Sequence, residues 1–114
     1  MTFLRGHVYV ADLEPVRGSE QGRTRPVVVI SNNAINATSP VITIAPLTSS
    51  SNIPRLYRTD VFVAASEAGI SVDSVVLLSQ IRTITKSRIT KELGELSTAT
   101  MGLIEKAARF ALDL

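Results

Sequence analysis

The sequence contains no cysteine and only one histidine, His7, among its 114 residues. The lack of cysteine excludes a disulfide framework and thiol chemistry. A single histidine leaves too few strong ligands for a zinc site and excludes a catalytic histidine pair. We therefore expect neither a metal nor another cofactor, and we expect a partly buried structural role for His7.

The sequence also lacks tryptophan and any apolar run of about 18 residues, the length that a membrane-spanning helix requires. Its first ten residues, MTFLRGHVYV, do not have the layout of a secretory signal. We expect a cytoplasmic protein that does not contact membranes. The length predicts a single domain spanning residues 1–114, large enough to bury a core.

Positive charge is concentrated in one part of the chain. The net charge is only +2, yet residues 17–58 contain five arginines and one acidic residue, Glu20. Arginine is the cation best suited to phosphate and to base edges, because its planar fork donates several hydrogen bonds at once. A solvated arginine-rich surface with no partner explains the composition equally well.

Short apolar segments rich in valine, isoleucine and threonine predict five to seven β-strands. The segments are residues 7–13, 26–31, 41–47, 60–65, 74–78 and 81–85. Their spacing is too tight for crossover helices, so we predict a mainly β fold, a curled antiparallel sheet or small barrel. Between them, residues 32–36 are predicted as one helical turn and residues 48–52 as a loop.

The C-terminal segment predicts one amphipathic helix that begins after Ser97 as N-cap. Glu105 and Arg109 are spaced to form an ion pair on this helix. The stripe predicted to face the core consists of Leu96, Ala99, Leu103, Ala107, Phe110 and Leu114. The apolar residues off this stripe, expected to be exposed and to support a dimer, are Met101, Ile104, Ala108 and Leu112.

Arg25 is the first candidate for chemistry. A long loop precedes it, and its glycines, Gly18 and Gly22, do not have the spacing of a phosphate-binding P-loop. Pro26 restricts the backbone of Arg25 to an extended conformation at the start of a strand. A cation held in this way could stabilise a phosphoryl transition state. The alternative is a surface ion pair with Glu20 or Asp12.

Two further segments place polar groups near strand ends. Pro46 predicts a sheet edge or bulge, which would turn the hydroxyl of Thr48 out of the strand end; an ordinary turn threonine is the alternative. Gln80 and Arg82 are two residues apart and share a face if the chain there is extended. They could contact base edges or phosphate, or form a solvent-facing polar row.

Taken together, these segments resemble the MazF/PemK/Kid family of toxin endoribonucleases. The resemblance lies in five stretches along nearly the whole chain: RGHVYVADL, GSEQGRTRPVVVIS, VITIAPLTS, AGISVDSVVLLSQIRTITKSRI and GELSTATMGLIEKAARFAL. It implies an SH3-like barrel of the CcdB/MazF/Kid type with a C-terminal α-helix. It also implies a homodimer that cleaves single-stranded RNA at short sequences without a metal, leaving a 2',3'-cyclic phosphate and a 5'-hydroxyl.

The resemblance assigns catalysis to Arg25 and Thr48, with Glu20 as a candidate base or base-orienting group. It makes Gln80 face the substrate. The remaining residues that we expect to bind substrate are Gly18, Ser19, Gln21, Arg23, Ser49 and Arg82. It further implies an acidic MazE-like antitoxin peptide that covers the basic groove and displaces the first loop. Many relatives have aspartate where this chain has Ser79, so a mechanism that requires that carboxylate is not expected here.

Two other functions are compatible with the sequence. A noncatalytic SH3-like module could use the arginine-rich rim to bind RNA or an acidic peptide. A gyrase poison on the same fold, as in CcdB, is disfavoured because that relative uses a C-terminal tryptophan segment, whereas this chain ends FALDL.

Overall fold

Seven strands and two α-helices form the part of the chain described by the computed structural model, residues 1–15 and 17–114. The strands are β1 (His7–Asp12), β2 (Thr24–Val29), β3 (Val41–Ser49), β4 (Asp60–Val63), β5 (Ser74–Leu77), β6 (Arg82–Thr85) and β7 (Ile89–Glu95). The helices are α1 (Asn33–Thr38) and α2 (Thr98–Leu112). The prediction of a mainly β antiparallel fold with a C-terminal helix is confirmed. Within those residue ranges, neither helix is long and apolar enough to cross a membrane.

The strands form one antiparallel sheet in the order β4-β5-β3-β2-β1-β7, with β6 also paired to β3. Strand β3 organises this sheet because it changes partner along its length. Residues 41–44 pair with β6, and residues 47–49 pair with β5. Pro46, which has no N–H to donate, lies between these two pairings and opposite Val27 of β2. It therefore marks a change of partner inside the sheet rather than the edge or bulge that we predict from the sequence.

Two apolar clusters lie on opposite faces of the central strands. Val8 and Val28 belong to one cluster, which α2 covers, whereas their strand neighbours Tyr9, Val27 and Val29 belong to the other. Side chains alternate between the two faces of a strand, so both faces of β1 and β2 are buried. This explains the uninterrupted valine run that follows Pro26.

The predicted core stripe of α2 is largely wrong. Leu96 and Ala107 are buried as predicted, but Ala99, Leu103, Phe110 and Leu114 are exposed. Of the residues expected off the stripe, Met101 and Ile104 are buried, Ala108 is half-buried and only Leu112 is exposed. Ser97 is the N-cap as predicted, because its hydroxyl accepts a hydrogen bond from the N–H of Thr100. Glu105 pairs with Arg5 at 2.7 Å instead of with Arg109.

Strand β7 is absent from the predicted segments, because its sequence ITKELGE is largely polar. It pairs with β1 at the edge of the sheet, where His7 contacts Glu92 and Glu95. The predicted loop 48–52 is also partly wrong, since Thr48 and Ser49 end β3 and Ser50–Asn52 form a one-turn 3-10 helix. The predicted turn at residues 32–36 is part of α1.

Glycine is required where the backbone around residue 69 approaches β7. Gly69 has a φ of +74°, and a Cβ atom there would lie 2.5 Å from the carbonyl oxygen of Leu93. This close approach connects the segment before β5 to the edge of the sheet. It fixes the backbone that continues through Ile70 toward the site described below.

Candidate active site

The loop between β1 and β2, the first loop, is held at its base by two arginines, Arg82 at the start of β6 and Arg88 at the end of the 3-10 turn Lys86–Arg88. Arg82 donates from Nη1 to the carbonyl of Leu13 at 3.3 Å, and Arg88 donates to the carbonyls of Asp12 and Glu14. The loop is closed on itself where the N–H of Leu13 donates to the carbonyl of Arg23 at 3.0 Å. These contacts fix the start of β2 in position.

Arg25 lies on β2 immediately after this loop, and its half-buried guanidinium is fixed by two backbone carbonyls. Its Nε donates to the carbonyl of Gly22 at 2.6 Å, and Nη1 donates to that of Leu47 at 3.2 Å. Burial and then the charge of Arg23 lower the pKa of Arg25, while Glu14 acts in the opposite direction. The side chain is therefore hydrogen-bonded to the backbone, and the alternative of a surface ion pair with Glu20 or Asp12 is not what the structure has.

Thr48 lies on β3 beside the carbonyl that Arg25 contacts. The residue is buried, at 5% exposure. Arg25 and Thr48 line the same cavity, of about 220 Å³, together with Ser49, Asn52 and residues 70–72. The Oγ1 atom of Thr48 accepts a hydrogen bond from Nδ2 of Asn52 at 3.0 Å. The cavity thus combines a fixed cation with a fixed hydroxyl.

A second cavity, of about 390 Å³, is lined by Pro46 and Ile81. Its polar lining comes from the first loop and from the segment before β6: Ser19, Glu20, Gln21, Ser79, Gln80 and Arg82. The Oε1 atom of Gln80 accepts a hydrogen bond from the backbone N–H of Gln21 at 2.7 Å. Its Nε2 lies 3.5 Å from the carbonyl of Ser19. The first loop therefore already hydrogen-bonds the carboxamide of Gln80, the group predicted to face the substrate.

Comparison with known proteins gives these cavities a family context. Residues 4–112 match the family described as PemK-like, MazF-like toxin of type II toxin-antitoxin system. The chain belongs to this family. It is 43% identical to the endoribonuclease EndoA of Bacillus subtilis, covering 100% of this chain and 97% of that protein. It is 38% identical to endoribonuclease MazF9 of Mycobacterium tuberculosis, covering 96% of each.

A solved structure supports the same relationship. The fold of this PemK-like, MazF-like toxin superposes on a mycobacterial endoribonuclease in complex with its cognate antitoxin, with a TM-score of 0.80. The two chains are 31% identical, and the match covers 97% of this chain and 95% of the other. The shared architecture therefore extends over both cavities.

In this family member, the residues predicted for the site divide between the two cavities. Arg25, Thr48 and Ser49 line the first, while Glu20 lines the second and accepts a hydrogen bond from the N–H of Arg17 at 2.7 Å. Gln80 ends a 3-10 turn and Arg82 begins β6, so the two line one cavity without sharing an extended strand.

Two of the residues predicted to bind substrate, Gly18 and Arg23, shape the backbone of the first loop. Gly18 and Arg23 both have positive φ, of 58° and 61°. The N–H of Arg23 donates to the carboxylate of Glu14 at 2.6 Å, which stabilises that turn, and its side chain is exposed.

Two residues of the site, Arg88 and Asn52, are not predicted from the sequence. Arg88 contacts the first loop from the 3-10 turn before β7, and its sequence neighbours give no sign of that contact. Asn52 donates to Thr48 from a position four residues later, a spacing that brings side chains together on a helical turn. That spacing could have identified Asn52, had the segment not been predicted as a loop.

Proposed function

We propose that this chain, an endoribonuclease toxin of the PemK-like, MazF-like family, cleaves single-stranded RNA in the cavity between Arg25 and Thr48. The observation that supports this most strongly is that one cavity holds both side chains, each fixed by its own hydrogen bonds. The family membership and the named activity of the relatives supply the reaction. The products would be a 2',3'-cyclic phosphate and a 5'-hydroxyl.

In the proposed reaction, the ribose 2'-oxygen attacks phosphorus and the bond to the 5'-oxygen breaks. One proton leaves the 2'-hydroxyl, and one reaches the departing 5'-oxygen. Arg25 would stabilise the charge on the crowded phosphate, because preorganised donors in a partly dry site contribute most where charge develops. Arg25 is also our candidate for the group that donates the proton to the leaving oxygen. Thr48 would donate to a nonbridging oxygen.

Glu20 remains our candidate for the base that accepts the 2'-proton. It lines the second cavity, so this role requires the first loop to move when RNA binds. The loop must also move for Gln80 to bind RNA, because the carboxamide oxygen of Gln80 already accepts a hydrogen bond from the Gln21 N–H. Opening of the loop would free Gln80 to hydrogen-bond a base edge and would bring Glu20 toward the phosphate. RNA bases are commonly recognised in this way, unstacked and at their edges.

An acidic, MazE-like antitoxin peptide is the proposed inhibitor. The mycobacterial relative binds a cognate antitoxin. In this chain, the arginines between residues 17 and 58 outnumber the acidic residues five to one, so an acidic peptide would be attracted to the same surface as RNA. We place both interactions in the cytoplasm, where the expected messenger RNA substrate is translated.

A second copy of the chain is the other proposed partner. Phe62, Leu103 and Phe110 are 46%, 57% and 47% exposed and line one groove of about 560 Å³. Arg58 lies 3.9 Å above the ring of Phe110. The groove also contains Asp60 and Lys106, so it presents both signs of charge, as a face that binds its own copy in a two-fold dimer requires.

Incubation of the purified protein with single-stranded RNA in EDTA tests this function. We expect discrete fragments that end in a cyclic phosphate, and we expect cutting at a site to stop when its 2'-hydroxyl is replaced by hydrogen. RNA retention without fragments would instead indicate a noncatalytic module. Inhibition of gyrase with intact RNA would indicate a CcdB-like poison.

A further inference from the structure

Asn52 lines the same cavity as Arg25 and Thr48 and is the residue that contacts the hydroxyl of Thr48. It ends the one-turn helix Ser50–Asn52, which is fixed at its start by the N–H of Ser50 donating to the carbonyl of Asp73 at 2.8 Å. The turn is closed by the N–H of Ile53, which donates to the carbonyl of Ser50 at 3.1 Å. The amide of Asn52 is thus presented from a rigid element.

The direction of the hydrogen bond from Asn52 determines what Thr48 can do. A threonine hydroxyl has one hydrogen to donate and two lone pairs that accept. Nδ2 of Asn52 donates to Oγ1 at 3.0 Å and so occupies one lone pair. The hydrogen of the hydroxyl remains available for a different acceptor.

Among the described residues, the Thr48 hydroxyl donates to no protein acceptor, although the cavity lining also includes the hydroxyls of Ser49, Ser71 and Ser74. Arg25 cannot accept, because a guanidinium has only donors. The carbonyls of Leu47 and Gly22 already accept hydrogen bonds from Arg25. A ligand that enters the cavity therefore meets donors from both Arg25 and Thr48, which is the arrangement that an anionic phosphate oxygen requires.

We propose that Asn52 is a positioning residue, which orients the Thr48 hydroxyl as a hydrogen-bond donor toward a nonbridging phosphate oxygen of the RNA. The inference rests on the proposed roles of Arg25 and Thr48. Asn52 acts through Thr48 and does not take part in proton transfer. It makes the first cavity selective for an oxyanion over a ligand that donates hydrogen bonds.

Two substitutions of Asn52 test whether its amide must donate a hydrogen bond to the Thr48 hydroxyl. Asn52→Ala removes the donor, and we expect the single-turnover cleavage rate to fall by roughly five- to tenfold, the usual effect of one hydrogen bond between neutral groups. Asn52→Asp has nearly the same shape but can only accept, so it would draw the hydroxyl hydrogen away from the phosphate. For this variant we expect a larger loss, on the order of 10²-fold, the scale for losing one transition-state donor.

The double variant separates positioning from a structural role. In a Thr48→Val background, Asn52→Ala should cause no further loss of rate, because its effect passes through the missing hydroxyl. The affinity of the single Asn52→Ala variant for RNA with a 2'-deoxy ribose at the cut site should change less than the rate does. Ser50→Ala, in the same turn but outside the cavity lining, is the matched control and should cleave normally.

Any one of three results would overturn the proposal. The first is that Asn52→Asp cleaves at the rate of the unaltered protein, and the second is that Asn52→Ala has no effect on the rate. The third is that Asn52→Ala causes an equal loss of rate with and without the Thr48 hydroxyl. Failure of the proposed function is distinguishable, since the unaltered protein would then leave RNA intact, or Arg25→Ala and Thr48→Val would both cleave normally. If those two variants lose cleavage while the Asn52 variants behave as the unaltered enzyme, only the role of Asn52 is refuted.

Discussion

At the scale of single residues, the chemistry of the site depends on the hydrogen bonds that each polar side chain already makes before RNA binds. An arginine has five N–H groups, and Arg25 directs two of them to the carbonyls of Gly22 and Leu47. Within residues 1–15 and 17–114, the other three N–H groups have no protein acceptor and can bind a ligand. Fixing the guanidinium in this way lowers the conformational entropy that it loses when it binds a phosphate, which favours rapid and specific reaction.

Gln80 provides a prediction about specificity. Its carboxamide contacts the loop through Gln21 and Ser19, and in the proposed complex it contacts a base instead. We expect Gln80→Ala to broaden the set of cleaved sequences while the rate at the best site stays within about tenfold, because one base contact is lost and the phosphate contacts remain. Mapping of cut sites on a long transcript measures this.

The neighbouring variant Thr83→Ala is the control for Gln80. Thr83 lies on β6 and contacts Thr43, away from the second cavity. It should retain the original cut sites. An unchanged cleavage pattern in Gln80→Ala would show that the carboxamide does not choose the base.

The sequence singles out Arg25 and Thr48 as candidates because a proline lies near each, and the family resemblance assigns them to catalysis. Pro26 fixes the backbone next to Arg25, and Pro46 lies two residues before Thr48 at the point where β3 changes partner. Contacts formed between distant segments could not be predicted in this way. Arg88 reaches the carbonyls of Asp12 and Glu14 across more than 70 positions, as the separations of 76 and 74 residues show.

At the scale of elements, helix α2 shows why a correct helix can be assigned the wrong face. Apolar residues occur on two of its sides, so helical periodicity alone does not decide which side meets the sheet. Packing selected the side with Met101 and Ile104, which contacts Val8, Val28 and the rest of one cluster. Strand β7 was missed for the opposite reason, because an exposed edge strand needs little apolar sequence.

Glu67 connects the N-terminus of α2 to the turn before β5. Burial alone would raise the pKa of Glu67, but hydrogen bonds from the N–H of Ser97 and from the hydroxyls of Thr100 and Ser97 outweigh it and lower the pKa. A folded-state pKa below the ordinary value of 4.5 means that the carboxylate stabilises the fold above that pH. This stabilisation is lost as the pH falls through the lower, folded-state pKa.

Substitution Glu67→Gln should therefore destabilise the protein in a pH-dependent way. At pH 7 we expect the free energy of unfolding to fall by about 1 kcal/mol, a value reduced for the partial exposure of the group. The difference from the unaltered protein should shrink in acid, below about pH 4. Urea unfolding at pH 7 and below about pH 4 measures this difference in stability. An equal loss of unfolding free energy at the two pH values would contradict the stabilising role of the charged Glu67 carboxylate.

At the scale of the whole molecule, the fold distributes the site residues between two cavities that are both lined by β3. β3 carries Thr48 into the first cavity, while Pro46 lines the second. The first loop reaches both, through Gly22 at Arg25 and through Gln21 at Gln80. No local sequence pattern could predict this division, because it depends on where β5 and β6 meet β3. A ligand that bridges the cavities must displace the loop.

The proposed dimer gives a prediction at this scale. Each chain has a mass of 12.3 kDa, so light scattering should give twice that value for the unaltered protein. Substitutions Leu103→Glu and Phe110→Glu together should yield a monomer, because they place like charges in a buried apolar face. Leu112→Glu is the matched control, since it lies in a different groove and should remain dimeric. A dimer that survives the double substitution would move the interface elsewhere.

The most direct test of the central claim is the single-turnover cleavage rate of Arg25→Ala on single-stranded RNA. Arg109→Ala, which removes an exposed arginine of α2, serves as the control. The account predicts that Arg25→Ala keeps its fold and loses roughly 10²- to 10³-fold in rate, the scale for removing one preorganised transition-state donor. Cleavage by Arg25→Ala at the rate of the Arg109→Ala control would contradict it.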